Sequence, residues 1–143
     1  MTQSNDAGFA IFEVTADKGI RAWGRDLPEV FRQAALGLWS LMVDPATVRP
    51  GRELQVAVEA GDRETLLVAW LNELLYLYEA KRMVVSDCAV RNLTETSLSA
   101  VVWAEESTLS RHVVIGHVKA ATYHLLRIAR SERGWEASVV VDV

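Results

Sequence analysis

Two stretches, 27–42 and 62–78, set most of the limits on how this chain can fold. In the first, Leu27, Val30, Phe31, Ala34, Ala35, Leu38, Leu41 and Met42 recur at steps of three and four. That spacing places them along one side of a helix. Asp26 precedes Glu29 at capping-box spacing, and Pro28 between them suits a first turn. Asp44-Pro45 ends the run, because proline disfavours helical geometry at the residue before it. In the second stretch, Asp62 is placed to cap a helix whose apolar side is Leu66, Leu67, Trp70, Leu71, Leu74, Leu75 and Tyr78. Helices with stripes this wide must be covered by a sheet or by each other.

The rest of the chain reads as strands. FAIFEVT (9–15) and IRAWG (20–24) flank a turn at 15–19, and Leu54, Val56 and Val58 alternate within 51–62. Further strands are expected at 83–90, 97–104, 124–129 and 135–143, with a shorter piece near 111–115. Asn92 and the cluster Glu132-Arg133-Gly134 mark turns. The pattern predicts an α+β fold: an antiparallel or mixed β-sheet packed on two long helices, in a single domain. A chain of 143 residues suits one domain and buries roughly two-thirds of its unfolded surface. Residues 1–8 are expected to be a disordered polar tail and 9–143 the domain.

Charge and residue usage narrow the function. Fifteen Lys and Arg against nineteen Asp and Glu give a net charge of −4. Stable direct nucleic-acid binding is not expected from such a surface, since that binding rests on neutralising phosphates. The single cysteine, Cys88, excludes an internal disulfide and a cysteine zinc site, and its β-like apolar run predicts a packed, unreactive thiol. His112, His117 and His124 lack zinc-motif spacing. No Gly-rich phosphate loop or nucleophile elbow is present. The five tryptophans read as core or interface anchors. Asn72 and Glu73 break the most apolar stretch (66–78), and a membrane span needs about twenty largely apolar residues. The opening MTQSNDAGF lacks the features of a secretory signal. No membrane association and a cytoplasmic location are expected.

Three places carry groups that could do chemistry. The run VVVDV ends in the Asp142 side chain and the α-carboxylate of Val143. As a frayed end both would be hydrated; inside a sheet they would be two adjacent anions needing a counter-ion. Calcium and magnesium prefer such oxygen ligands. Asp17 reads as a turn aspartate bonding its own backbone, unless the first and last strands are neighbours, which would carry it towards Asp142. The run 117–124 reads as a solvated connector in which His124 starts a strand. Alternatively, its histidines move protons and Lys119 holds a phosphate.

Several of these residues lie in four ordered segments that resemble the archease family. They are Thr15-Ala16-Asp17-Lys18-Gly19-Ile20-Arg21-Ala22-Trp23-Gly24 with the helix at 25–42, Trp70-Leu71-Asn72-Glu73-Leu74-Leu75-Tyr76-Leu77, Val118-Lys119-Ala120-Ala121-Thr122-Tyr123-His124, and Gly134-Trp135 with 139–143. The resemblance runs from about residue 9 to 143. It implies strand–helix–strand–strand units and a non-catalytic accessory protein of the GTP-dependent 3′-phosphate RNA ligase. That ligase joins 2′,3′-cyclic-phosphate and 5′-hydroxyl ends in tRNA splicing or RNA repair, and the accessory protein would promote its guanylylation and turnover. The resemblance also implies calcium as cofactor, with magnesium or manganese as alternatives, held by Asp17, Asp142 and Val143. Lys119, with His124 beside it, would contact the partner or a nucleotide. One departure is Val14, where the family commonly has histidine. Two other readings are a stand-alone metal-dependent nucleotide or phosphoester enzyme using Asp17, Asp142 and Lys119, and a chaperone-like module binding through Trp39 or Trp103.

Overall fold

A computed structural model describes residues 7–108 and 110–143. The elements run β1 (Gly8–Val14), β2 (Asp17–Gly24), α1 (Leu27–Ser40), β3 (Arg52–Glu59), α2 (Arg63–Glu79), β4 (Met83–Leu93), β5 (Ser97–Glu106), β6 (Ala120–Ala121), β7 (Arg127–Ser131) and β8 (Gly134–Asp142), with a 3-10 turn at Pro45–Thr47. Both helices start where an aspartate accepts an orphan backbone N–H. Asp26 Oδ1 accepts from Glu29 N at 3.0 Å, and Asp62 Oδ1 from Thr65 N at 2.8 Å. At α2 the box is reciprocal, since Asp62 N donates to Thr65 Oγ1 at 3.2 Å. At α1 it is not: the Glu29 carboxylate accepts from Arg32 Nη1 at 2.9 Å and Gln33 Nε2 at 2.7 Å instead. Two charged or amide donors one turn away outcompete a single backbone N–H.

The strands form two antiparallel sheets, one ordered β1-β2-β8-β6 with β7 also on β8, the other β3-β5-β4. The helices lie between them. α1 touches β1, β2 and β8 on one side and β4 on the other, while α2 touches β3, β4 and β5 as well as β6 and β7. Ile20, Ala22, Ala137, Val139 and Val141 face the helices from the larger sheet, and Val56, Leu98, Ala100 and Val102 from the smaller. The segment β3–α2–β4–β5 is a strand–helix–strand–strand unit. Trp70 ties the helices together, its Nε1 donating to the Phe31 carbonyl at 3.0 Å.

Details differ from the sequence pattern where pairing overrides local preference. The expected turn at 15–19 shrinks to Thr15 and Ala16, and Asp17 is already the first residue of β2, opposite Val14. Asn92 is inside β4 opposite Ser99, because a register shift between Val90 and Asn92 lets the strand run on to Leu93. The piece at 111–115 makes only one bridge, Val43 to Val114. His124 does not start a strand; it lies in a turn before β7, and β6 is only two residues long. Most of the 1–8 tail falls outside the described residues, and Gly8 opens β1 opposite Trp23.

Gly134 opens β8 at φ 130°, where a Cβ would overlap the Gly24 carbonyl and come within 2.8 Å of Arg25 Cα. Only glycine tolerates that backbone conformation without strain. Gly134→Ala is expected to cost about 2–3 kcal/mol, read as a lower urea midpoint with an unchanged slope.

Candidate metal centre

β8 is the central strand of the larger sheet. It pairs with β2 along one edge, from Gly24↔Trp135 to Lys18↔Val141, and with β7 and then β6 along the other. Three consecutive valines suit that position: Val139, Val140 and Val141 are all buried. One residue beyond the Lys18↔Val141 rung stand Asp17 on β2 and Asp142 on β8. Side chains alternate along a strand, so both aspartates fall on the face away from the helices. Directly opposed residues have Cβ atoms about 4.5–5.5 Å apart. On the other edge, Ala120 pairs with Asp142, and Lys119 N donates to the Asp142 carbonyl at 2.7 Å. The sheet therefore gathers Asp17, Asp142, Val143 and the Lys119 backbone at one corner.

Asp17 is half-buried, and Asp142, Val143 and Lys119 are exposed. Lys18, beside Asp17, is taken by Glu13 across the hairpin at 2.7 Å. Among the described residues no cation pairs with Asp17 or Asp142. The corner thus holds two like charges without a cationic partner among the described residues, with Val143 next to them. Such a donor set is all hard oxygen, which fits calcium, magnesium or manganese. Among the described residues no group of three or more His, Cys, Asp or Glu side chains is placed to hold a metal. Val143, backbone carbonyls and water would have to complete the shell. Val14 stands opposite Asp17.

His124 is exposed in the turn after β6. That turn is fastened to β8: Thr122 Oγ1 donates to the Val140 carbonyl at 2.8 Å and accepts from His124 N at 3.2 Å. β6 itself is held by Asn72, whose Oδ1 accepts from Ala121 N at 2.8 Å and whose Nδ2 donates to the Ala121 carbonyl at 3.4 Å. Sequence reasoning used Asn72 only as a break in an apolar run and missed this positioning role. The signal was there: an amide in the middle of a buried helix stripe needs partners.

The cluster around Glu105 is structural. The Glu105 carboxylate accepts from Arg111 at 2.7 and 2.8 Å and from Arg49 N at 2.8 Å, and His112 Nε2 lies at 2.8 Å. His112 is buried, and its Nδ1 accepts from Thr108 N at 3.0 Å, so the proton sits on Nε2 and points at Glu105. The Arg111 guanidinium holds the Glu105 carboxyl well below the usual carboxylate range. A depressed carboxyl stabilises the fold above its unfolded pKa, and this is lost as pH falls through the folded one. Glu105→Gln is therefore expected to melt below wild type at pH 7, with the gap narrowing below about pH 4.3. Burial pushes the Cys88 thiol up to about 12, which leaves it inert. Trp39 is only 5% exposed and Trp103 is half-buried. Truncating Trp39 would open the core, so it is not the exposed anchor that the chaperone-like reading required.

No described helix is long and apolar enough to cross a membrane. The model of the archease protein family matches residues 9–143. A protein archease of Methanosarcina acetivorans is 35% identical over 139 residues, covering 94% of this chain and 95% of its own. That of Thermococcus gammatolerans is 40% identical over 136 residues, covering 92% and 96%. The solution structure of Methanobacterium thermoautotrophicum protein 1598 superposes with a TM-score of 0.78 at 31% identity, covering 95% of this chain and 99% of that one. A family model that spans residues 9–143, relatives at 35–40% identity over nearly their whole length and a matching solution structure agree: this chain belongs to the archease family.

Proposed function

We propose that the chain is a metal-binding accessory protein of a GTP-dependent 3′-phosphate RNA ligase in the cytoplasm, promoting guanylylation and turnover of the ligase in tRNA splicing or RNA repair. The observation that carries the metal half of this reading is the adjacency of Asp17 and Asp142, from opposite ends of the chain, on paired strands. Two carboxylates placed side by side with no cation among the described side chains repel one another, which favours a bound ion between them. Asp17, Asp142 and the Val143 carboxylate would hold calcium, with magnesium or manganese in its place. When bound, the ion would supply positive charge where a nucleotide's phosphates meet the ligase. Family membership supports the ligase half, and the open position of the corner supports delivery to a partner. Lys119 and His124 would meet the ligase or its nucleotide beside it.

The test is ligase guanylylation with wild type and with Asp17→Ala and Asp142→Ala. Stimulation is expected to fall by at least tenfold in each variant. Unchanged stimulation by folded variants would overturn the reading. Steady GTP hydrolysis by the protein without ligase would replace it with an enzymatic one.

A further inference from the structure

The outer face of the larger sheet carries a second feature, separate from the carboxylate corner. Arg21 on β2 and Arg127 on β7 both pair with Ser138 of β8, one on each side. The three residues therefore form one row across the sheet, on the face away from the helices. Cross-strand neighbours stand about 5 Å apart, so the two arginines rise about 10 Å from each other with a hydroxyl between them. That span lets two guanidinium groups converge on one small anion. A cavity of about 270 Å³ opens there, lined by Arg21, Arg127, Ala129, Glu136, Ala137 and Ser138.

Both arginines are exposed, and among the described residues neither has a carboxylate within ion-pair distance. Arg21 is nonetheless held: its guanidinium lies over the Trp23 ring, 5.2 Å from the centroid. Stacking occupies the face of the guanidinium and leaves its edge donors free. The Ser138 hydroxyl donates to the Leu125 carbonyl at 3.0 Å, which fixes the floor of the cavity. Glu136 contributes one negative charge against two positive ones, so the cavity keeps a net charge of its own.

We infer that this cavity is an anion subsite that takes a phosphate group, carried by a nucleotide or by the end of an RNA chain. Arginine forks match phosphate oxygens in geometry and charge, and two forks on one row would grip one phosphate from both sides. Four residue steps along β8 take Ser138 to Asp142, roughly 13 Å, so the subsite and the corner face the same side without sharing ligands. Only one or two phosphate contacts are involved, which agrees with a net-acidic chain that does not coat nucleic acid.

Calorimetric titrations in EDTA at low salt test this, with GMP, guanosine, inorganic phosphate and a short 3′-phosphorylated oligoribonucleotide as probes. EDTA removes any contribution from the corner, so failure here is distinct from failure of the metal reading. Every phosphate-bearing probe is expected to bind and guanosine is not. Arg21→Gln with Arg127→Gln is expected to weaken binding at least tenfold, with an unchanged melting temperature since both side chains are exposed. Tighter binding of the oligonucleotide than of GMP would assign the phosphate to RNA ends, and the reverse to a nucleotide. Absence of binding by all phosphate-bearing probes, or equal binding by the double variant, would overturn the subsite.

Discussion

Calcium is expected to raise the thermal midpoint of the wild-type chain, and Asp17→Asn or Asp142→Asn is expected to abolish the rise. A ligand that binds only the folded state stabilises it by about 2.7 kcal/mol at a hundred times its dissociation constant. For a domain of this size that is on the order of 10 °C. The diagnostic half of the experiment is done in EDTA. With no ion, each asparagine variant removes one of two like charges on opposed strands and should match or exceed wild type by up to about 0.5 kcal/mol. The order of stabilities thus inverts between the two conditions. A pair of surface aspartates with a purely structural role would not invert. Variants less stable than wild type in EDTA, or a wild type indifferent to calcium, magnesium and manganese, would end the metal reading.

Trp70→Ala is expected to be the most damaging single substitution in the core. The side chain is 0% exposed, and its indole N–H is the buried hydrogen bond that joins α2 to the Phe31 carbonyl of α1. Truncating a buried tryptophan costs about 3–5 kcal/mol from transfer and cavity terms. Losing the donor adds about 1 kcal/mol, the net value of an ordinary hydrogen bond, since the Phe31 carbonyl lies within α1 and keeps its helical partner. A total of about 5 kcal/mol would consume much of the stability of an ordinary domain. Trp70→Phe keeps most of the volume and loses the hydrogen bond, so it should cost about 2 kcal/mol. Urea denaturation of the two variants separates packing from hydrogen bonding, and equal costs would contradict this division.

What could be read from the residues alone was whatever short-range chemistry decides. Asp26 and Asp62 announced both helices, because capping depends on groups three residues apart. The apolar stripes then required a covering layer, and the α+β class followed. The strands, expected as one sheet, divide into two with the helices between them. Pairing partners were out of reach, since β2 meets β8 across most of the chain. This is why Asp17 looked like a turn residue: Lys18-Gly19 is turn-like locally, but the ladder with β8 draws it into β2. The same reasoning explains Asn92, kept in a strand by its pairing with Ser99, and β6, too short to leave a pattern and fixed by β8 on one side and Asn72 on the other. The carboxylate corner was legible as residue types and illegible as a place.

The centre of the larger sheet is synthesised after every strand that it joins. Until β8 leaves the ribosome, the β1-β2 hairpin has one open edge and β6 and β7 have no sheet partner. The nascent chain can form its helices and the β3-β5-β4 meander early, yet its apolar layer stays uncovered on one side. Folding of this domain is then expected to finish in a single late step once β8 has emerged, with chaperone dependence greatest for chains truncated before Gly134.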